Sequence, residues 1–183
     1  MILPIYAYGQ PVLRKKATDI DAQYPELQTL LNNMFETMYD SNGIGLAAPQ
    51  IGLSIRLFIV DGSEIENINP NGFKEVFINP VIEEEFGKEW EFEEGCLSIP
   101  DVRAHVKRKG ELTIRYFDQN WVEHVKTFDG MAARIIQHEY DHIEGILFTD
   151  RISPLKRNML KRRMDGISQG RVNVDYKMKF AKK

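Results

Sequence analysis

A chain of 183 residues with a net charge of −3 is long enough for one domain with a real core, and its 43% hydrophobic and 28% charged residues are ordinary for a soluble globular protein. A single cysteine excludes an internal disulfide, and no stretch approaches the roughly 18 apolar residues of a membrane span. The first ten residues lack a basic segment followed by a long apolar run, so no secretory leader is expected and the cytoplasm is the expected compartment.

Residues 9–14 read as an extended arm, because Pro11 lacks a donor and disfavours helix before it. A helix is expected from Pro25. Its apolar positions Leu27, Leu30, Leu31, Met34, Phe35 and Met38 recur at helical spacing, and Asn42-Gly43 ends it. This stripe is core. The next segment, Gly43-Ile44-Gly45-Leu46-Ala47-Ala48-Pro49-Gln50, has neither the spacing of a dinucleotide loop nor the Lys-Ser/Thr of a phosphate loop. Its glycines and alanines allow backbone to come very close to another group.

Residues 55–60 form an apolar run that reads as a buried strand, and 61–72 as an exposed loop. Strands are expected at 75–83, 87–93 and 102–107, then a hairpin of 111–117 and 121–128 turning at Asp118-Gln119-Asn120. Ser153-Pro154 caps and starts a last helix, 153–165, expected to turn Leu155, Met159, Leu160 and Met164 inward. Residues 1–165 are thus read as a single catalytic domain and 166–183 as a loosely ordered basic tail. Residues 151–183 hold 11 Lys/Arg against 2 Asp, +9, while residues 1–150 hold 13 against 25 acidic residues, −12. Such a basic end on an acidic body fits an anionic partner such as RNA; a solvated helix face is the plainer alternative.

The chemistry centres on Gln137-His138-Glu139-Tyr140-Asp141-His142. Asp129-Gly130 offers a helix start and Gly145 a stop. Two histidines four apart on that helix share a face and can take neighbouring corners of a metal's coordination sphere. Glu139, beside the first, can handle the proton of a water activated by the metal. An open catalytic site wants a third protein ligand. One protease pattern places a His six residues past the second His, but Phe148 stands there; another uses a later Glu, and none follows Glu144. The best remaining donor is upstream, in Glu94-Gly95-Cys96-Leu97-Ser98, where a thiolate suits a first-row metal. A lone Cys is more often a small buried hydrophobe, yet two histidines in need of a partner favour the ligand. His105 and His124 lie in strand patterns and are weaker candidates.

These three segments, in this order, resemble the three signature motifs of the peptide deformylases. The resemblance runs from Pro11-Val12-Leu13-Arg14 to Ser153-Pro154-Leu155-Lys156, and Ser98-Ile99-Pro100 with a helical tail is similar to the bacterial type I branch. The 61–73 loop looks longer than in compact members. The resemblance implies an α+β fold, with small antiparallel β-sheets packed around a central metal-binding helix. It implies a hydrolase that removes the formyl group from the N-terminal formyl-methionine of nascent polypeptides and releases formate. Cys96, His138 and His142 would hold the metal, Fe²⁺ natively with Zn²⁺ or Ni²⁺ as substitutes.

Within that frame Glu139 is the general base, while the Gln50 side chain and the Leu97 backbone N–H are donors to the tetrahedral oxyanion. The substrate backbone is expected to pair around Ile44-Gly45, and Ile44, Ile135 and the stem of Arg134 or Met131 to line the methionine pocket. Glu94, grouped with the substrate-binding residues, is expected to pair with Arg108 and brace the Cys96 loop. The expected partners are formyl-methionyl nascent peptides and, through the basic tail, the ribosome, with no membrane and no specific DNA. Two alternatives stay open on the sequence: a metalloendopeptidase, and a metal-stabilised ribosome- or RNA-binding module without catalysis.

Overall fold

The computed structural model describes residues 1–65 and 73–181. The expected loop at 61–72 and its length relative to compact family members fall largely outside the described residues. Its two ends are tied together, since the Gly62 N–H donates to the Phe73 carbonyl at 2.7 Å.

A five-stranded antiparallel sheet forms the body. Its strands are β2 (Gly45–Ala47), β3 (Leu57–Asp61), β4 (Lys74–Cys96), β5 (Ile99–Phe117) and β6 (Glu123–Asp129), hydrogen-bonded in that order. A parallel pair, β1 (Ile5–Tyr6) with β7 (Met178–Lys179), stands apart from it. Among the described residues, three helices complete the α+β fold: α1 (Leu27–Asp40), α2 (Gly130–Ile143) and α3 (Pro154–Ser168). No helix among the described residues is long and apolar enough to cross a membrane.

The apolar run at 55–60 has the character expected of a strand covered on both faces. Phe58 and Val60 join Ala132, Ala133, Ile135 and Ile136 of α2 in one core. Leu57 and Ile59 point the other way, to Leu31, Met34 and Met38 of α1. The sheet is therefore a septum between two helices. Phe77 anchors the α2 side, with ring centroids 4.6 Å from Phe58 and 4.3 Å from Tyr116. A third core forms where Val102, Ala104 and Val106 meet Phe148, Met164 and Ile167.

Several elements differ from the sequence expectation. The strands expected at 75–83 and 87–93 are one strand, and 102–107 and 111–117 are another. Their turn-forming residues interrupt the register without ending the strand: it shifts between Ile78 and Val81, around Pro80, and between Phe86 and Glu89, where Gly87 has φ +76°. Pro11–Arg14 is a short 3-10 turn, since proline's missing donor costs nothing at the first helical position. α1 begins at Leu27 after Glu26, whose φ is +53°. The Gly43–Gln50 segment is β2 followed by a 3-10 turn at Ala48–Ile51.

The C-terminal part departs furthest. On α3, Leu155 is 72% exposed and Met159 75%, whereas Met164 is 3% exposed and Ile167 1%. The inward stripe is Leu160, Met164 and Ile167, because the helix meets the body only towards its C-terminal end. Nor is the described part of the segment beyond Gly166, up to residue 181, loose. Residues 171–181 alternate between exposed polar and half-buried apolar positions, and β7 pairs with β1.

This orientation of α3 is checked by equilibrium urea unfolding. Met164→Ala should cost about 2–5 kcal/mol, whereas Leu155→Ser and Met159→Ser should each stay within about 0.5 kcal/mol. Equal losses at the three positions would refute it.

Candidate metal centre

α2 carries His138 and His142 one turn apart, and Cys96 ends β4. One ligand atom from each of the three lies within 4.8 Å of the others. Cys96 Sγ is 3.3 Å from His142 Nε2, and the two imidazoles are 5.2 Å apart at 73°. His138 Nδ1 lies 3.0 Å from Glu94 Oε2. An ionised carboxylate only accepts, so Nδ1 carries the hydrogen and Nε2 is left for the cluster.

The donor set fits a first-row transition metal: one soft sulfur and two imidazole nitrogens, with Nε2 of His142 turned to Cys96 Sγ. Electrostatics agree. Burial, then the neighbouring charge of His138, holds His142 well below its ordinary range and keeps its lone pair free. Burial opposes a charge on His138 too, but hydrogen bonds with Cys96 and Glu94 outweigh it and hold that imidazole well above its range. Cys96 and Glu94 thus stabilise positive charge where the donors meet.

Behind the cluster lies a buried ionic network. Glu94 accepts from Arg108 Nε at 2.7 Å, Arg108 Nη2 at 2.9 Å and Arg134 Nη1 at 2.9 Å. Arg108 Nη1 donates to Asp141 at 2.8 Å, and Arg151 grips Asp141 with two contacts of 2.5 Å. Burial alone would raise the Glu94 pKa, but the bonds from Arg108 and His138 hold it well below the carboxylate range. Glu94 lines the cavity, yet its carboxylate is turned to His138 and the arginines, so its place is behind a candidate ligand and not in the position of a substrate contact. Arg134 is pinned as well, donating to the Val106 and Trp90 carbonyls and lying 4.4 Å above the Trp90 ring; only its stem is left for the cavity.

Glu139 follows His138 and is buried. Burial is the main cause that pushes its pKa up to about 7, and its Oε2 has no partner among the described residues. The close approach anticipated for the glycine-rich segment is to this carboxylate: a Cβ on Gly45 would stand 2.5 Å from Glu139 Oε1. Gln50 is oriented by its Oε1, which accepts from the Ala47 N–H at 2.9 Å. Its Nε2 is thereby turned to Cys96 Sγ at 3.5 Å and Ser98 Oγ at 3.4 Å.

Gln50, Cys96, His138 and Glu139 open onto a cavity of about 580 Å³. Ile44, Gly45, Met131, Arg134 and Ile135, the residues expected near a substrate, all line it, as does Leu97. His105 and His124 are elsewhere; His124 Nε2 pairs with Asp118 at 2.8 Å. The sequence gives Asp141 and Arg151 no part in the site, and it places residues 173–176, another stretch of the cavity wall, in the basic tail. Asp141 had a visible signal, a carboxylate one helical turn from His138 inside the motif. Val174 and Tyr176 belong to a period-two alternation in the last segment, and Arg151 had no signal.

A sequence profile of the polypeptide deformylase family matches residues 2–158. The chain is 55% identical to the peptide deformylase of Christiangramia forsetii over 189 aligned positions, covering 98% of this chain and 96% of that protein. It is 53% identical to the peptide deformylase of Cytophaga hutchinsonii, with 98% of each covered. Among solved structures, the peptide deformylase of Legionella pneumophila superposes with a TM-score of 0.82 at 40% identity, over 93% of this chain and 98% of that one.

Arg108 joins two buried carboxylates, so Arg108→Met should lower stability by about 3–5 kcal/mol in denaturant unfolding, by leaving Glu94 and Asp141 short of a countercharge. A loss below about 1 kcal/mol would show that the network is not needed for folding.

Proposed function

The chain belongs to the polypeptide deformylase family, and on that premise we propose how its own residues divide the work. It is a metal-dependent hydrolase that removes the formyl group from the N-terminal formyl-methionine of new polypeptides, releasing formate. The endopeptidase and the non-catalytic binding module give way to this assignment. The observation that carries the division of roles is that Cys96 and His138, clustered with His142, line one cavity with Glu139 and Gln50.

Cys96, His138 and His142 hold the metal, Fe²⁺ in the native enzyme, with Zn²⁺ or Ni²⁺ able to substitute. When bound, the metal supplies Lewis-acid chemistry, acidifying water and polarising a carbonyl oxygen. Glu94 fixes the His138 ring, and Arg108 fixes Glu94, so ligand geometry does not depend on the substrate. Glu139, with one buried carboxylate oxygen unpartnered, takes a proton from the attacking water and returns it to the amine as the formyl C–N bond breaks. The Gln50 amide and the Leu97 N–H donate to the oxyanion that forms as water adds, each such donor being worth about 2.7–4 kcal/mol.

β2 is an edge strand of the main sheet, and Ile44 and Gly45 line the cavity. An extended substrate adds there as a further strand, with its methionine among Ile44, Met131, Ile135 and the Arg134 stem. The compartment this reading requires is the cytoplasm, where new chains emerge; neither a membrane nor a specific DNA belongs to it. The ribosome is reached through the basic C-terminal part, where α3 exposes Lys156, Lys161 and Arg162 around Leu155 and Met159.

Protein purified anaerobically with iron should release formate from formyl-Met-Ala-Ser and leave acetyl-Met-Ala-Ser intact. Glu139→Gln should keep the metal and lose roughly 10²–10⁴-fold in turnover, whereas retained turnover would exclude Glu139 as the base. For docking, reversing Lys156, Lys161 and Arg162 to Glu should weaken co-sedimentation with ribosomes and spare tripeptide turnover. Unchanged co-sedimentation would sink the docking role. Charge reversal is preferable to truncation here, because a cut at residue 166 would also remove β7 and part of the cavity wall.

A further inference from the structure

The turn between β4 and β5 consists of Leu97 and Ser98, directly after Cys96. Its peptides are held from outside the sheet. The Tyr8 N–H donates to the Ser98 carbonyl at 2.8 Å, and the Tyr176 hydroxyl donates to the Leu97 carbonyl at 2.8 Å. The two donors arrive together because their segments are paired. The Ile5 N–H donates to the Lys177 carbonyl at 2.8 Å and the Ala7 N–H to the Lys179 carbonyl at 2.9 Å. On the other side of the turn, the Leu97 side chain presses against Gly43, where a Cβ would come within 2.9 Å of Leu97 Cδ1. The turn that carries Cys96 and Leu97 is thus clamped by both ends of the chain, and Asn173 to Tyr176 continue as cavity wall.

We infer that Tyr176 is a positioning residue for deformylation: its hydroxyl, brought in by the paired terminal segments, immobilises the Leu97–Ser98 peptide and with it the Leu97 N–H. This deepens the oxyanion role proposed above for Leu97 and rests on it. The carbonyl that Tyr176 holds and the N–H that serves the oxyanion belong to the same residue. Freeing the carbonyl lets the peptide planes on both sides of Leu97 rotate. Tyr176 acts on the transition state through Leu97 and does not touch the reacting atoms. Its ring, half-buried beside Leu97 and Met178, keeps the wall in place whether or not the hydroxyl is present.

The variant is Tyr176→Phe, which removes the hydroxyl and keeps the ring. Two readouts are taken. In the metal-free protein, the order parameters of the Leu97 and Ser98 amides should fall from the rigid-backbone value of about 0.85 towards about 0.6. In the iron-loaded enzyme, kcat for formyl-Met-Ala-Ser should fall roughly 3- to 10-fold, as suits one neutral hydrogen bond, with KM within about 2-fold of the parent. Unchanged order parameters or an unchanged kcat would each overturn the inference. So would a fall in kcat accompanied by loss of metal or of the unfolding midpoint, which would make Tyr176 merely structural. A parent chain that released no formate would count against the functional reading alone, since the order parameters need neither metal nor substrate and still decide the clamp.

Discussion

The structure depends most on the contact between Glu94 and Arg108, a buried carboxylate and a buried guanidinium joined by two hydrogen bonds of 2.7 and 2.9 Å. Neither charge would be tolerable alone in that position, because desolvation of each costs several kcal/mol. Together they form the middle of a chain that runs from His138 through Glu94, Arg108 and Asp141 to Arg151. That chain ties β4, β5, α2 and the segment after the 3-10 turn at Phe148–Asp150 into one unit. The candidate ligands inherit its rigidity. A helix and a strand that merely packed through apolar side chains could slide by tenths of an ångström, whereas bidentate ion pairs fix both distance and angle.

The sheet supplies the second constraint. β3 is covered on one face by α2 and on the other by α1, so its register cannot slip by one residue without exchanging the two cores. That register aligns β2 with β3, Gly45 opposite Val60, and lays the Gly45 backbone against the Glu139 carboxylate. The cavity is therefore shaped by backbone on the β2 side and by side chains on the α2 side.

Much of this was legible in the sequence. The helix bearing His138 and His142, its Asp129 start and its stop near Gly145 followed from periodicity and turn chemistry, and the apolar run at 55–60 announced a strand covered on both sides. The three motifs came together because each sits at a fixed end: the edge strand, the hairpin turn and the helix. What was not legible is what depends on distant partners. The strand breaks expected at 84–86 and 108–110 are bulged stretches of continuous strand, since local chemistry does not distinguish a bulge inside a long ribbon from a turn between short strands. Of the arginines facing Glu94, Arg108 is expected from the family resemblance, whereas no spacing rule links Arg134 on α2 or Arg151 beyond it to the same network. The tail was misjudged because its basic residues suggested disorder while its period-two alternation, Val172, Val174, Tyr176, Met178 and Phe180, went unweighed.

The pairing of Ile5 with Met178 has a consequence for the birth of the protein. Chains emerge from N- to C-terminus at about 5–20 residues per second, so β1 waits roughly ten to thirty seconds for its partner. During that interval Cys96, His138 and His142 have all been made, yet the turn beside Cys96 still lacks its second fastening. Closing a loop of such length is entropically costly and comes late in folding. A copy that has not yet reached Met178 is thus an incomplete catalyst by construction, and the β1–β7 pairing is a late step of assembly.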